Sequence, residues 1–429
     1  MAGKEGRQVP DPTGGVALYR KSELPGGVRL VTEEIPGVSS VALGLWVGVG
    51  SKWETEEERG VSHFLEHLLF KGTKKRRARD IAEALDSVGG QLNAFTSKEY
   101  TCYYAKVLGE YLPLALDVLL DMFLEPLLDG DDIAREKQVV LEEISMYEDS
   151  PDELVHDLLT EVAWPNHPLG RPTLGTRESL NALTPEQIRA FYARYYTPAN
   201  LVITAAGNLR HDELVRLAER YFAGRTRSPQ THALSAPNFW AGRRLFERDT
   251  EQVHVCLGAP GVPVEDERNY VVEVANSILG GGLSSRLFQH IREEKGLAYS
   301  VYSYHTAYQG IGLFTIYLGL SKENLEAGLE LVEQELESLV KEPVPAAEIE
   351  RARNQVLGTF RLSLENTTNR MIRMGKQELS LGRFIPVEEV EDKLRAVTAE
   401  DVQQLCARAF GREQLTTVVL GPVDPKEVE

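Results

Sequence analysis

Short apolar blocks recur along the chain with the length and β-branched or aromatic content of strands. Val28–Glu33, Val41–Val49 and Cys102–Val107 are such blocks in the first half, and Gln252–Leu257, Tyr299–Tyr304 and Leu313–Leu318 in the second. Elsewhere the apolar positions return every three or four residues. That spacing predicts long amphipathic helices, as over Glu110–Leu124 and Asp131–Tyr147. Strands and helices mixed in this way predict an α+β fold with largely antiparallel sheets.

The pattern also repeats. Leu183–Arg194 and Val397–Arg408 each place a threonine (Thr184, Thr398) ahead of an acidic first turn, the signature of a capped helix. Each then leads into a strand that ends in glycine, Leu201–Gly207 and Leu415–Gly421. Thr184 to Thr398 is 214 positions, and so is Gly207 to Gly421. Glu125-Pro126 followed by a helix through Ile133 to Leu141 is matched by Glu342-Pro343 and a helix through Ile349 to Leu357, at an offset of 216 or 217. Two matches in one order at nearly one spacing imply two homologous domains, each a largely antiparallel sheet packed with helices. We place them at residues 1–223 and 240–429. The aperiodic stretch 224–239, rich in Arg, Ser, Pro and Gln, is the expected linker.

A length of 429 residues suits about two to three domains. With 42% hydrophobic and 26% charged residues the chain is globular rather than disordered. Its net charge of -18 argues against binding nucleic acid, where the phosphate-neutralising contribution has the opposite sign, and favours basic peptides as ligands. Three widely spaced cysteines, Cys102, Cys256 and Cys406, fit a reducing compartment better than a disulfide framework. The first 26 residues hold no apolar core of a signal peptide, and no stretch is long enough to span a membrane. A bacterial-type cytoplasm is the expected location.

Candidate chemistry lies in Val61–Phe70, which reads as a buried helix. His63 and His67 are one turn apart, roughly 40° around the axis, and Glu66 lies about 60° to the other side of His63. Val61, Phe64, Leu65 and Leu68 fill the remaining face. Two imidazoles at i and i+4 can reach one zinc ion, but a hydrolytic site needs a third protein ligand and an open position. The helix Asp131–Tyr147 offers it. Glu136 and Glu143 fall within its apolar stripe of Ile133, Val140, Ile144 and Tyr147, where a carboxylate is costly unless paired or bound to metal. Glu142 projects away. Geometry therefore favours Glu143 or Glu136, with Glu66 the natural base beside the histidines. The bland alternative is a helix whose histidines are spaced by accident. The second half acts as an internal control. Matching Glu58-Arg59 to Glu267-Arg268 sets His63, Glu66 and His67 against Val272, Ala275 and Asn276, while Glu143 and Glu136 fall opposite Thr359 and Ala352. Only the first half carries the metal set.

His63-Phe-Leu-Glu-His67 followed by Glu143 resembles the inverted zinc motif of the pitrilysin family of peptidases. The likeness covers nearly the whole chain, through Gly60–Thr73, Gly89–Thr96, Arg135–Ile144, Gly280–Phe288 and Arg292–Tyr299. It is nearest to the processing-peptidase branch, which includes the catalytic subunit of the mitochondrial processing peptidase and its bacterial relatives. The resemblance implies one zinc per chain on His63, His67 and Glu143, with Glu66 as base and Glu136 orienting a ligand. It implies a peptide substrate added as an edge strand beside Asn93 and Ala94, and contacted by Arg292 and Tyr299. Without the resemblance Arg292 reads as a solvated helix charge and Tyr299 as a packing aromatic. The resemblance further implies two domains forming half of a clamshell and a homodimer enclosing a chamber, in which peptides or unfolded segments are hydrolysed. The competing expectation is a non-catalytic structural core subunit of the same family, which would have lost part of the metal set.

Overall fold

The computed structural model describes residues 6–10, 16–225 and 234–424. The first half of the chain contributes strands β1 Gly6–Pro10, β2 Val16–Leu24, β3 Val28–Glu34, β4 Ser40–Val47, β5 Gln91–Thr96, β6 Thr101–Leu108 and β7 Leu201–Gly207. Its helices are α1 Val61–Leu69, α2 Ala78–Asp86, α3 Leu112–Leu124, α4 Gly130–Glu148, α5 Pro151–Ala163, α6 Arg177–Ala182, α7 Pro185–Tyr195 and α8 His211–Phe222. The second half adds β8 Gly242–Glu247, β9 Val253–Gly261, β10 Ala298–Tyr308, β11 Ile311–Leu320 and β12 Thr416–Gly421. Its helices are α9 Asn269–Leu279, α10 Leu325–Lys341, α11 Ala346–Ser363, α12 Thr367–Leu381, α13 Val387–Ala396 and α14 Ala399–Ala409. The six strands and the helices expected from patterning form, with ends moved by a few residues.

The strands make two sheets, in the orders β1-β2-β3-β7-β4-β6-β5 and β8-β12-β9-β11-β10. The duplication is visible here. β3 and β7 pair in parallel, as do β8 and β12. The remaining ladders are antiparallel, and β7-β4-β6-β5 is matched by β12-β9-β11-β10. Thr184 and Thr398 both cap their helices, and both repeated glycines end strands, Gly207 in β7 and Gly421 in β12. The Thr184 and Thr398 side chains accept from the N–H three residues on.

Packing divides the chain differently from the contiguous halves 1–223 and 240–429. One compact unit comprises Met1–Ile144, Pro172–Leu234 and Arg361–Ile385; the other comprises Ser145–Arg171, Ser235–Phe360 and Pro386–Glu429. Helix α5 thus belongs with the second sheet and α12 with the first, although each lies in the other half of the sequence. Of the expected linker 224–239, residues 226–233 lie outside the described residues.

In the second unit α5 packs by an apolar stripe. Val155, Leu159 and Ala163 recur at four-residue spacing and meet Cys256, Leu313, Val418 and Leu420 on the sheet. In the first unit α12 is held mainly by charge. Arg370 donates to Glu33 at 2.6 Å with both residues buried, and Lys21 and Arg29 meet the buried Glu378 at 2.8 and 3.2 Å. Its close approach depends on Gly375. A Cβ there would overlap the Trp46 indole, whose Nε1 donates to Thr204 Oγ1 at 2.8 Å. Cys102, Cys256 and Cys406 are buried free thiols, and among the described residues no helix is long and apolar enough to cross a membrane.

Gly375→Ala tests the α12 contact. Helix propensity alone would raise stability by about 1 kcal/mol. Overpacking on Trp46 should outweigh this and lower stability by about 1–3 kcal/mol. Urea unfolding followed by circular dichroism reads the sign, and a higher midpoint would show that α12 does not press on the indole.

Candidate metal centre

Helix α1 starts where Gly60 turns the chain with φ 87°, a conformation suited to glycine. A Cβ there would also strike the Leu174 carbonyl oxygen. The free N–H groups of the first turn are taken by a side chain from outside the helix. Glu54 accepts from Gly60 N and Ser62 N, each at 2.7 Å, and is itself buried. Val61, Phe64, Leu65 and Leu68 then anchor the apolar face in the first unit's core. This fixes the opposite stripe, His63, Glu66 and His67, toward α4.

On α4, Ile133, Glu136, Val140 and Ile144 are buried, Glu143 is half-buried and Glu142 is exposed. The His67 Nδ1–H donates to Glu136 Oε1 at 2.9 Å, which leaves its Nε2 lone pair free. Lys71 Nζ holds the other oxygen of Glu136 at 2.6 Å. Glu143 faces both rings, with Oε1 3.6 Å from His63 Nε2 and Oε2 3.4 Å from His67 Nε2. The three ligand atoms lie within 4.8 Å of one another, the one group of this kind among the described residues. Of the two carboxylates the sequence left open, the structure puts Glu143 against both imidazoles and Glu136 behind one of them.

The donor set fits a zinc ion. The separations from Glu143 to the two rings exceed good hydrogen bonds and approach the edge of a tetrahedron whose centre-to-ligand distances are about 2.0–2.1 Å. Protonation states agree in part. Burial, partly opposed by Glu143, lowers the His63 pKa to about 4, so this ring is neutral and can donate a lone pair. The imidazoles beside it, His67 before His63, hold the Glu143 pKa low and the carboxylate ionised. At His67 burial disfavours the charged form, but Glu143 and Glu136 outweigh it and raise the pKa. A proton therefore competes with a metal for this ring.

Glu66 is partly buried beside this group, and burial raises its pKa despite a 2.5 Å hydrogen bond from Thr96 Oγ1. Thr96 ends β5, which among the described residues is an edge strand paired only with β6. Asn93 and Ala94 lie on the same strand, and the Asn93 side chain accepts from Ala94 N at 2.8 Å. Base and strand edge are thereby linked. Arg292 and Tyr299 lie in the second unit. The Arg292 guanidinium sits over the Phe288 and Tyr299 rings at 4.9 and 5.6 Å. Tyr299 is 75% exposed where the β10–β11 register shifts, so a bulge turns it outward.

Sequence reasoning missed Glu54, Lys71 and Thr96 as supports. Each works through a fold contact to a helix or carboxylate, and only the i to i+4 spacing of Lys71 and His67 could have hinted at one of them.

The family model described as "Insulinase (Peptidase family M16)" matches residues 29–177, and "Peptidase M16 inactive domain" matches residues 182–356. The chain is 46% identical over 402 residues to an uncharacterized zinc protease of Bacillus subtilis (strain 168), covering 94% of this chain and 98% of that one. It is 44% identical over 424 residues to an uncharacterized zinc protease of Streptomyces coelicolor, covering 96% and 92%. Among solved structures, a protease from Helicobacter pylori aligns with a TM-score of 0.88 at 22% identity, covering 94% of this chain and 99% of that one. A peptidase M16 inactive domain from Pseudomonas fluorescens aligns with the same score and identity, covering 95% and 98%. These two likenesses speak to fold alone.

Two outcomes test the supports. Glu136→Gln should weaken zinc affinity about 10- to 100-fold, measured by competition with a chromogenic chelator, because His67 loses its orienting carboxylate. The Glu54 pKa is raised from 4.5 to about 7 by burial, against the two backbone hydrogen bonds that lower it. A carboxyl raised on folding gives stability that is full below its unfolded value and lost as pH rises through its folded one. Between pH 5 and 8 the zinc-free protein should lose on the order of a few kcal/mol through this group. Glu54→Gln should flatten that part of the slope in urea titrations; equal slopes would refute the assignment.

Proposed function

The chain belongs to the M16 (pitrilysin) family of peptidases, and on that footing we propose that it is a zinc-dependent endopeptidase acting on peptides or unfolded segments. The observation that carries this reading is the convergence of His63 Nε2, His67 Nε2 and Glu143 with Glu66 alongside, a complete set with no member lost. One zinc per chain is proposed on these three residues. When bound, zinc supplies a Lewis acid that acidifies water and polarises a carbonyl.

The chain's own groups do the rest. His63 and His67 donate neutral lone pairs, and Glu136 and Lys71 hold His67 in the tautomer that allows it. Glu66 receives a proton from the attacking water on its carboxylate and returns it to the leaving amine nitrogen. Its raised pKa suits both halves of that transfer, and the Thr96 hydroxyl keeps the carboxylate in one rotamer. The substrate main chain adds to the free edge of β5 beside Asn93 and Ala94, so affinity comes from backbone hydrogen bonds with little demand on side chains. Arg292 and Tyr299 supply a donor pair to the substrate carbonyl region. The assembly proposed is a cytoplasmic homodimer of the processing-peptidase type, in which these two residues serve the partner's metal centre.

Glu66→Gln is the test. It should retain close to one zinc per chain by elemental analysis and lose cleavage of an unfolded protein substrate by at least about 100-fold, the scale of a lost general base. Full activity in this variant would rule out the base. A wild-type protein that neither holds zinc nor cleaves would instead point to the structural-subunit alternative.

A further inference from the structure

The second unit has its own counterpart of the metal centre. Helices α9 and α11 occupy the places that α1 and α4 hold in the first half. Asn276 stands opposite His67 and Thr359 opposite Glu143. Between these helices and α13 lies a cavity of about 360 Å³, lined from α9, α11 and α13 at helical spacings. Volumes of this order are typical of ligand sites.

The walls are mostly apolar and aromatic: Tyr270 from α9, Val356 and Phe360 from α11, and Val390 and Leu394 from α13. The amides in the wall are engaged with their neighbours. Ser277 Oγ donates to Gln355 Oε1 at 3.0 Å, Gln355 Nε2 donates to the Gly281 carbonyl at 3.2 Å, and Asn276 Oδ1 accepts from Ser303 Oγ at 2.6 Å. One charged residue, Glu273, lines the cavity at the position matching the buried Phe64 of the first half. No described residue forms a hydrogen bond or ion pair with its carboxylate. The basic side chains nearby in sequence are committed elsewhere. Lys393 pairs with Glu267 at 2.8 Å, Arg268 with Asp266 at 2.6 Å and Arg395 with Glu391 at 2.7 Å, while Arg353 donates to the Arg395 carbonyl at 2.6 Å. Glu273 keeps exposed surface at the cavity mouth, yet loss of water around its carboxylate raises its pKa.

We propose that this cavity binds the side chain of a basic residue in a peptide, its charged end on Glu273 and its methylene stem among Tyr270, Val356, Phe360 and Leu394. A single carboxylate in a largely apolar cavity asks for a ligand of that construction. The stem packs on apolar walls, the cation lies near two aromatic rings, and the ion pair replaces lost hydration. A purely apolar ligand seated in the mouth would cover the water that the exposed side of the Glu273 carboxylate keeps and offer it no partner, which is costly.

The test uses the full-length zinc-loaded Glu66→Gln protein, so that nothing is cleaved. Acetyl-Ala-Arg-Ala-amide and its norleucine analogue are titrated by calorimetry and by saturation-transfer NMR. The arginine peptide should bind saturably and more tightly than the norleucine peptide. Adding Glu273→Gln should weaken the arginine peptide at least tenfold and should not weaken the norleucine peptide. Adding Val356→Trp, which fills the cavity, should remove the advantage of the arginine peptide over the norleucine peptide, with an unchanged melting temperature showing that the variant folds; if it does not fold, the Glu273→Gln comparison decides alone. Removing zinc with a chelator should not change arginine-peptide binding, which separates this site from the metal centre and from the proposed catalysis. Equal arginine-peptide binding with and without Glu273→Gln, a loss on zinc removal, or no saturable binding would overturn the proposal.

Discussion

Charge placed against a hydrophobic core shapes this protein more than any other constraint. Helix α1 has one face sealed by Val61, Phe64, Leu65 and Leu68, so its other face must point at α4, and α4 meets it with Glu136 and Glu143. A carboxylate there is tolerable only with partners. Glu136 has two, the His67 ring and Lys71. Glu143 has two imidazoles at distances too long for strong hydrogen bonds, a spacing that a cation would complete. The same logic runs outward. Glu54 is buried because α1 begins in the interior and its first N–H groups need an acceptor. Glu33 and Glu378 are buried because α12 presents Arg370 to the first, and Lys21 and Arg29 reach the second. The candidate metal centre extends this pattern, with Glu136 buried and paired and Glu143 half-buried against two rings.

What could be read in the sequence was whatever lies within one element. The stripe of His63, Glu66 and His67 follows from 3.6 residues per turn, and so does the stripe of Glu136 and Glu143. The capped helices at Thr184 and Thr398 and the glycine-ended strands were legible for the same reason, and they exposed the duplication. The choice between Glu136 and Glu143 was not legible from geometry alone. Both lie on one stripe, and only the fall of α4 across α1 decides which meets both rings. Thr96 was equally silent, since its bond to Glu66 depends on where β5 lies at the sheet edge.

The exchanged helices show a second kind of silence. α5 advertises an apolar stripe, but a stripe says that a helix is buried and not which sheet buries it. α12 does not advertise one. Its buried positions are Thr367, Arg370, Gly375 and Glu378 with two methionines, a mixture that makes no apolar stripe. Burial there is possible because the charges are matched and because Gly375 lets the backbone come close to Trp46. Contiguous domain boundaries were the natural inference from repeat offsets, and packing assigns 145–171 and 361–385 differently.

Duplication followed by divergence then has a physical description. Both halves keep two helices facing each other beside a sheet with the same strand order. In the first half that gap is closed by imidazole and carboxylate groups drawn to one centre. In the second, Asn276 and Thr359 cannot take that part, because a neutral amide and a hydroxyl are weak ligands for zinc. Without convergence the helices leave a cavity, and its amides bond to neighbours rather than to each other across it. Glu273 replaces a core phenylalanine at this place, so the carboxylate is not the residue of an old metal set. A carboxylate at this cavity wall, with the basic residues nearby in sequence bound elsewhere, is the feature from which cation binding is proposed.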